Sequence, residues 1–167
     1  MQIQGTHYRS IWHTPEHDAV CIFDQTLLPH TLQILELNSL GDACHAIVSM
    51  QVRGAPLIGA CAAYGLYFAL RDDPSPEHEA RAAAQLLATR PTAINLRWAI
   101  ERVCFALRDV PLADKALRAR QEAEHICEED INTCSRIGDH GLPLIQAIAA
   151  TKSGRPVNIL THCNAGW

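Results

Sequence analysis

Three short stretches of the 167-residue chain hold residue types whose spacing suits chemistry. In the first, Arg53-Gly54-Ala55-Pro56 precedes a run of small and apolar residues reaching Leu70. Pro56 suits a helix's first turn, and Gly59, Ala60, Ala62, Ala63 and Gly65 let that helix pack closely. A helix start holds anions, because its free N–H groups and its dipole both favour negative charge. Gly54 lets a ligand approach the backbone, and Arg53 adds a planar fork for phosphate. The same residues also suit a tight structural turn with Arg53 in a salt bridge, and the residue types leave both readings open. In the second stretch Arg90 precedes Pro91, and Thr92 is positioned to begin a helix. Two arginines at two helix starts would clamp one phosphate. Asn95 either faces the same cleft or bonds its local backbone.

The third stretch follows the turn signal Ser153-Gly154-Arg155-Pro156. Val157, Ile159 and Leu160 predict a buried strand, ending in Thr161-His162-Cys163-Asn164-Ala165-Gly166. A parallel strand delivers side chains to a crevice at its carboxyl end, and Cys163 stands at that edge. A following helix pointing its N-terminus at the sulfur would favour the thiolate. His162 faces the other side of the strand and takes a structural role. The cysteines number seven with no C-x-x-C pair, so they are expected reduced and mostly buried. His13, His30 and His140 have no partner at metal-ligand spacing, so neither metal nor cofactor is expected.

The elements that must position these residues follow from periodicity. A small antiparallel hairpin is predicted from Tyr8–His13 and Ala19–Leu28, with a helical period from about Thr31. Ser39 and Asp42 form a capping box, and Ser75-Pro76-Glu77 caps a helix running through Leu87. Leu96, Ile100, Val103 and Leu107 recur at helical spacing, and the stretch from Asp114 to Ile137 alternates charges with Leu117, Ile126 and Ile131, so both are read as amphipathic helices on one core. The acidic cluster Glu122, Glu124, Glu128, Glu129, Asp130 is read as a solvated face of that helix. A last helix is predicted from Leu142 to Ala150. A hydrophobic fraction of 48% with 19% charged residues predicts a folded chain, and a net charge of -4 argues for a small-molecule partner over nucleic acid or membrane. Without a signal peptide or a membrane-spanning run, the expected location is cytoplasmic.

"RGAPLIG", "RPTAINLRWAI" and "ILTHCNAG", in this order, together with "DQTLLP" at 24–29 and "IGDHG" at 137–141, closely resemble the methylthioribose-1-phosphate isomerase family, over essentially the whole chain. Members are about twice this length, so the chain resembles a fragment. The resemblance implies an α/β protein: an N-terminal domain (1–150) of small antiparallel sheet plus helical bundle, then a linker and the first strand (151–167) of a Rossmann-like catalytic domain.

The resemblance also implies the roles. Arg53, Gly54 and Ala55 contact a sugar phosphate, Arg90 holds its phosphate, and Cys163 is one of two catalytic groups, the other an aspartate beyond these residues. The reaction implied is conversion of S-methyl-5-thioribose 1-phosphate to the ribulose isomer in methionine salvage, by a homodimer at full length. Alternatives are a ribose-1,5-bisphosphate isomerase and a non-catalytic regulatory subunit of a translation-initiation exchange factor. Retention of Cys163 and both arginines argues against the latter. Alone, the 167 residues are expected to fold up to about Thr151 but not to turn over substrate.

Overall fold

Ala19-Val20-Cys21-Ile22-Phe23 is a continuous apolar run, and all five residues are buried, as a strand covered on both faces requires. It is the middle strand of a three-stranded antiparallel sheet in the computed structural model, which describes residues 2, 3 and 5–161. In chain order the described strands are β1 (Gln2–Ile3), β2 (Thr6–His7), β3 (Ile11–Thr14), β4 (Ala19–Phe23) and β5 (Ile34–Leu37). β1 pairs with β2, and β3-β4-β5 form the larger sheet, with Ile11 opposite Ile22 and Val20 opposite Leu37. The predicted hairpin is β3–β4. β5 corrects the helical period expected from Thr31: Leu35 and Leu37 turn inward while Glu36 is exposed, which is strand alternation.

Two compact units divide the chain, residues 1–127 and 128–167. In the first, helices α1 (Leu40–Val48), α2 (Ala55–Asp72), α3 (Pro76–Thr89) and α4 (Ile94–Ala106) follow the sheet. A 3-10 turn, Leu112–Asp114, then leads into α5 (Lys115–Thr151). Ser39 caps α1 by accepting from the Asp42 N–H at 3.1 Å. The Asp42 carboxylate reaches back to the Asn38 N–H at 2.9 Å, one residue beyond the usual box partner, the Ser39 N–H. Ser75 caps α3 through the His78 N–H.

α2 is the central helix. Tyr64, Leu66, Phe68 and Leu70 are buried along it, and Leu86 of α3 and Leu96, Ile100, Val103 and Leu107 near α4 join them in one core. Each such side chain contributes about 1.5–3 kcal/mol by leaving water. The α2–α3 and α3–α4 links are short, which makes neighbours antiparallel. Gly65 accordingly packs on Leu86 of α3, and Gly59 packs on Asn95 and Ala99 of α4. The start of α4 therefore packs against α2 near the start of that helix.

The acidic cluster is not wholly a solvated face. Glu122 is buried, accepting from Arg102 Nε at 2.6 Å and from Arg118 Nη2 at 2.9 Å. Two arginines supply the compensation that a buried carboxylate needs.

In the second unit, α5 continues to Thr151 without the break expected between Ile137 and Leu142. Gly138 and Gly141 cost a helix only about 1 kcal/mol each, so they need not end it, and Pro143 is also inside. Ser153 and Gly154 take positive φ, which fits the predicted turn. Residues 155–161 carry no regular secondary structure, so the strand expected from Val157 is absent there. No strand pairs with this stretch among the described residues, and unpaired strand backbone has no ladder to hold it. Its continuation with His162 and Cys163 lies outside the described residues. No helix among the described residues is long and apolar enough to cross a membrane.

Candidate functional site

The Arg53 loop is fastened before it is presented. α1 ends where the Ser49 N–H bonds His45 O at 2.8 Å, and Met50 then takes a left-handed φ of 65°. The Gln51 carbonyl accepts from the Gln25 N–H at 3.0 Å, and the Val52 N–H donates to Ala46 O at 3.1 Å. Val52 is fully buried and plugs the loop into the core. The next residue, Arg53, is exposed and makes no ion pair or side-chain hydrogen bond among the described residues. The salt-bridged turn left open by the residue types is therefore not the arrangement found.

Gly54 is the N-cap of α2, with φ 97° and ψ 130°, a conformation open to glycine and strained for any other residue. Having no side chain, it caps nothing, and the N–H groups of the first turn stay available beside exposed Ala55 and Pro56.

Arg90 ends α3 and is half-buried, also without a side-chain partner among the described residues. Its carbonyl accepts from the Ala93 N–H at 3.0 Å, closing a turn through exposed Pro91 and Thr92. α4 consequently starts one residue later than expected. Ala93, not Thr92, is the N-cap, and no side chain caps it. The turn closed on Arg90 O holds Thr92 outside the helix. Asn95 is half-buried, and its side chain bonds nothing among the described residues, contrary to the local bond considered for it. Because Gly59 lies against the Asn95 carbonyl, two uncapped helix N-termini stand together, each preceded by an arginine. Uncapped helix N–H groups and guanidinium forks are each suited to a polyanionic group.

Behind the loop sits Asp24, a buried acidic residue in "DQTLLP" that residue-type reasoning did not single out. Its Oδ1 accepts from the Thr26 N–H at 2.9 Å and the Thr26 hydroxyl at 2.5 Å, and its Oδ2 accepts from Gln51 Nε2 at 3.3 Å. A burial signal was not available from the sequence, since Asp24 follows the apolar strand as an ordinary turn residue would.

A second polar cluster ties the hairpin turn to α2. Asp18 accepts from Tyr67 Oη, from Arg71 Nη1 at 3.1 Å, and lies 3.0 Å from His13 Nε2. Burial pushes the Asp18 carboxyl up, but the bonds from Tyr67, His13 and Arg71 outweigh it and hold the pKa below the ordinary value. Burial, with the bond to Asp18, pushes the Tyr67 phenol up to about 12. Every contact here is satisfied within the fold, so the cluster reads as an anchor.

Among the described cysteines, Cys21, Cys44 and Cys61 are buried, and burial pushes the Cys61 thiol up to about 12. Such a thiol is no nucleophile near neutrality. No group of three or more His, Cys, Asp or Glu side chains is placed to hold a metal among the described residues.

Residues 51–167 match the sequence profile of the initiation factor 2 subunit family, more than half of the chain. The chain belongs to that family. It is 55% identical over its whole length to methylthioribose-1-phosphate isomerase from Gluconobacter oxydans, and spans 46% of that relative. It thus covers just under half the length of the isomerase it matches. Among solved structures, 5-methylthioribose 1-phosphate isomerase from Pyrococcus horikoshii superposes with a TM-score of 0.66 at 30% identity, covering 74% of this chain and 36% of that one. Translation initiation factor eIF-2B, subunit delta, from A. fulgidus superposes with a TM-score of 0.68 at 36% identity, covering 75% of this chain and 38% of that one.

Proposed function

We propose that this chain supplies the phosphate-holding part of an aldose–ketose isomerase that converts S-methyl-5-thioribose 1-phosphate to S-methyl-5-thioribulose 1-phosphate. The observation that carries the reading is the close approach of Gly59 to the Asn95 carbonyl, which packs α2 against the start of α4, the two helices that Arg53-Gly54 and Arg90 precede. The identity to isomerases over the whole chain supports it.

In this reading the first-turn N–H groups of α2, with Arg53 and Arg90, hold the anomeric phosphate. The ring must open before the first two carbons can exchange hydrogen, because the phosphate locks the sugar as a furanose. Holding the phosphate fixes C1 while that happens. In a proton route, one group takes the C2 proton as a base and C1 is reprotonated. Cys163 and an aspartate beyond these residues are the acid–base pair proposed for that transfer. Residues 151–167 are read as the stretch that leads into a Rossmann-like catalytic domain.

The likeness to the initiation factor subunit favours a second reading, a non-catalytic assembly module on the same fold. The higher identity to isomerases and the presence of both arginines and Cys163 favour the first.

The test is an isomerase assay on the protein at the length of its relatives. Arg53→Ala and Arg90→Ala are each expected to raise KM by about 10- to 150-fold, the loss of a charge-assisted contact. Cys163→Ser is expected to lower kcat with KM largely kept. Unchanged KM in both arginine variants would remove the phosphate assignment, and no turnover by the unaltered protein would favour the assembly module.

A further inference from the structure

We propose that Asp24 is a positioning residue, whose carboxylate holds the Arg53-Gly54 loop in its anion-receiving geometry through Gln51. The inference rests on the reading of that loop as a phosphate site.

Asp24 is 7% exposed at the end of β4 and belongs to none of the groups that would touch a ligand. One carboxylate oxygen fixes the turn that follows the strand, through the Thr26 N–H and hydroxyl. The other accepts from the Gln51 side chain, two residues before Arg53. The adjacent Gln25 N–H bonds the Gln51 carbonyl, so Gln51 is held by both its side chain and its backbone from the same two-residue step. Val52 is then pinned by its N–H to Ala46 O and by complete burial.

Two features of the loop need such fastening. Met50 takes a left-handed φ of 65° and Gly54 a φ of 97°, one on each side of the pinned pair. A non-glycine residue with positive φ is held there by its surroundings. Releasing Gln51 lets Met50 relax and lets the backbone leading into Arg53 turn. The arginine and the first-turn N–H groups then lose their common aim. The substrate's phosphate would feel Asp24 without touching it.

The test uses inorganic phosphate titrated into the 15N-labelled chain, with hydrogen exchange read at the Gln25 and Val52 amides. Gln51→Leu keeps the bulk and removes the bond. It is expected to speed exchange at Gln25 and Val52 and to weaken phosphate about tenfold, while amides of Ile58–Leu70 keep their protection. Asp24→Ala should do the same. Asp24→Asn is the conservative variant: Gln51 turns its amide over to accept from the new amide, and affinity returns to within about threefold. Arg90→Ala should weaken phosphate with exchange at Gln25 and Val52 unchanged.

Absence of phosphate binding by the unaltered chain would overturn the site reading, and the exchange data would still decide whether Asp24 holds the loop. Unchanged exchange at Gln25 and Val52 in Gln51→Leu would overturn the positioning role, as would faster exchange with unchanged phosphate affinity. Equal loss of protection across Ile58–Leu70 would mark Asp24 as a general stabiliser and overturn it too.

Discussion

Replacing Gly59 with Ala tests the packing that brings the two helix starts together. A Cβ there would lie 2.9 Å from the Asn95 carbonyl oxygen and 3.4 Å from both Ala99 Cβ and the Asn95 carbonyl carbon. The obstacle is the backbone of α4, which cannot swing aside as a side chain does, so the helices must part by a few tenths of an ångström. Overpacking of this kind costs about 1–3 kcal/mol, and a rigid obstacle puts the value at the upper end. Against it stands the better helix propensity of alanine, about 1 kcal/mol. The net expectation is a destabilisation of about 1–2 kcal/mol, read as a lower midpoint in urea melts followed by circular dichroism. Gly65→Ala is the internal control. Its Cβ would also meet an atom at 2.9 Å, but that atom is Leu86 Cδ2, the end of a flexible side chain; Ala43 Cβ at 3.1 Å is the rigid neighbour it would press on, so the propensity gain offsets part of the clash and the loss should be smaller than at Gly59. A Gly59→Ala variant as stable as the parent would refute the close approach of α2 and α4.

Glu122→Ala should destabilise by about 2–3 kcal/mol in the same melts, because it removes a buried carboxylate from between Arg102 and Arg118. The value is set below that of a fully buried pair because both arginines keep contact with water, and a loss under about 0.5 kcal/mol would contradict the buried arrangement. Asp18→Asn should make stability less dependent on acid pH. The folded carboxyl is held below its ordinary value of about 3.9, so its contribution is present above that pH and is lost as pH falls through the depressed folded value. Urea midpoints of parent and variant should therefore converge at the acid end, with Tyr67, Arg71 and His13, itself 4.0 Å from Glu124, facing the group. A constant gap from neutral to acid pH would contradict the depressed value.

What was legible in the sequence was mostly local. Ser39 with Asp42 and Ser75 with Pro76 signal their helix starts because a cap is made within three residues. Leu96, Ile100, Val103 and Leu107 are all buried because one helix face meets one core. β5 was hidden: four residues are too few to show a period, and the cap of α1 follows almost at once. Glu122 was hidden for a different reason. Its neighbours in sequence are acidic, but one of its partners, Arg102, comes from another helix. The site shows the same division. Arg53-Gly54 and Arg90 were visible as helix starts, whereas the packing of α2 on the start of α4 depends on Gly59 and Asn95, far apart in the chain. Asp24 was visible only as part of a motif, since its work depends on Gln51.

The central claim is that two helix starts and two arginines form one phosphate site. It is tested most directly by titrating S-methyl-5-thioribose 1-phosphate into the 15N-labelled chain and mapping amide shifts. The account predicts saturable shifts at Gly54, Ala55 and Leu57 together with Ala93, Ile94 and Asn95, following one binding curve and lost when Arg53 and Arg90 are both replaced by Ala. Shifts confined to one helix start, or their persistence in the double variant, would contradict it.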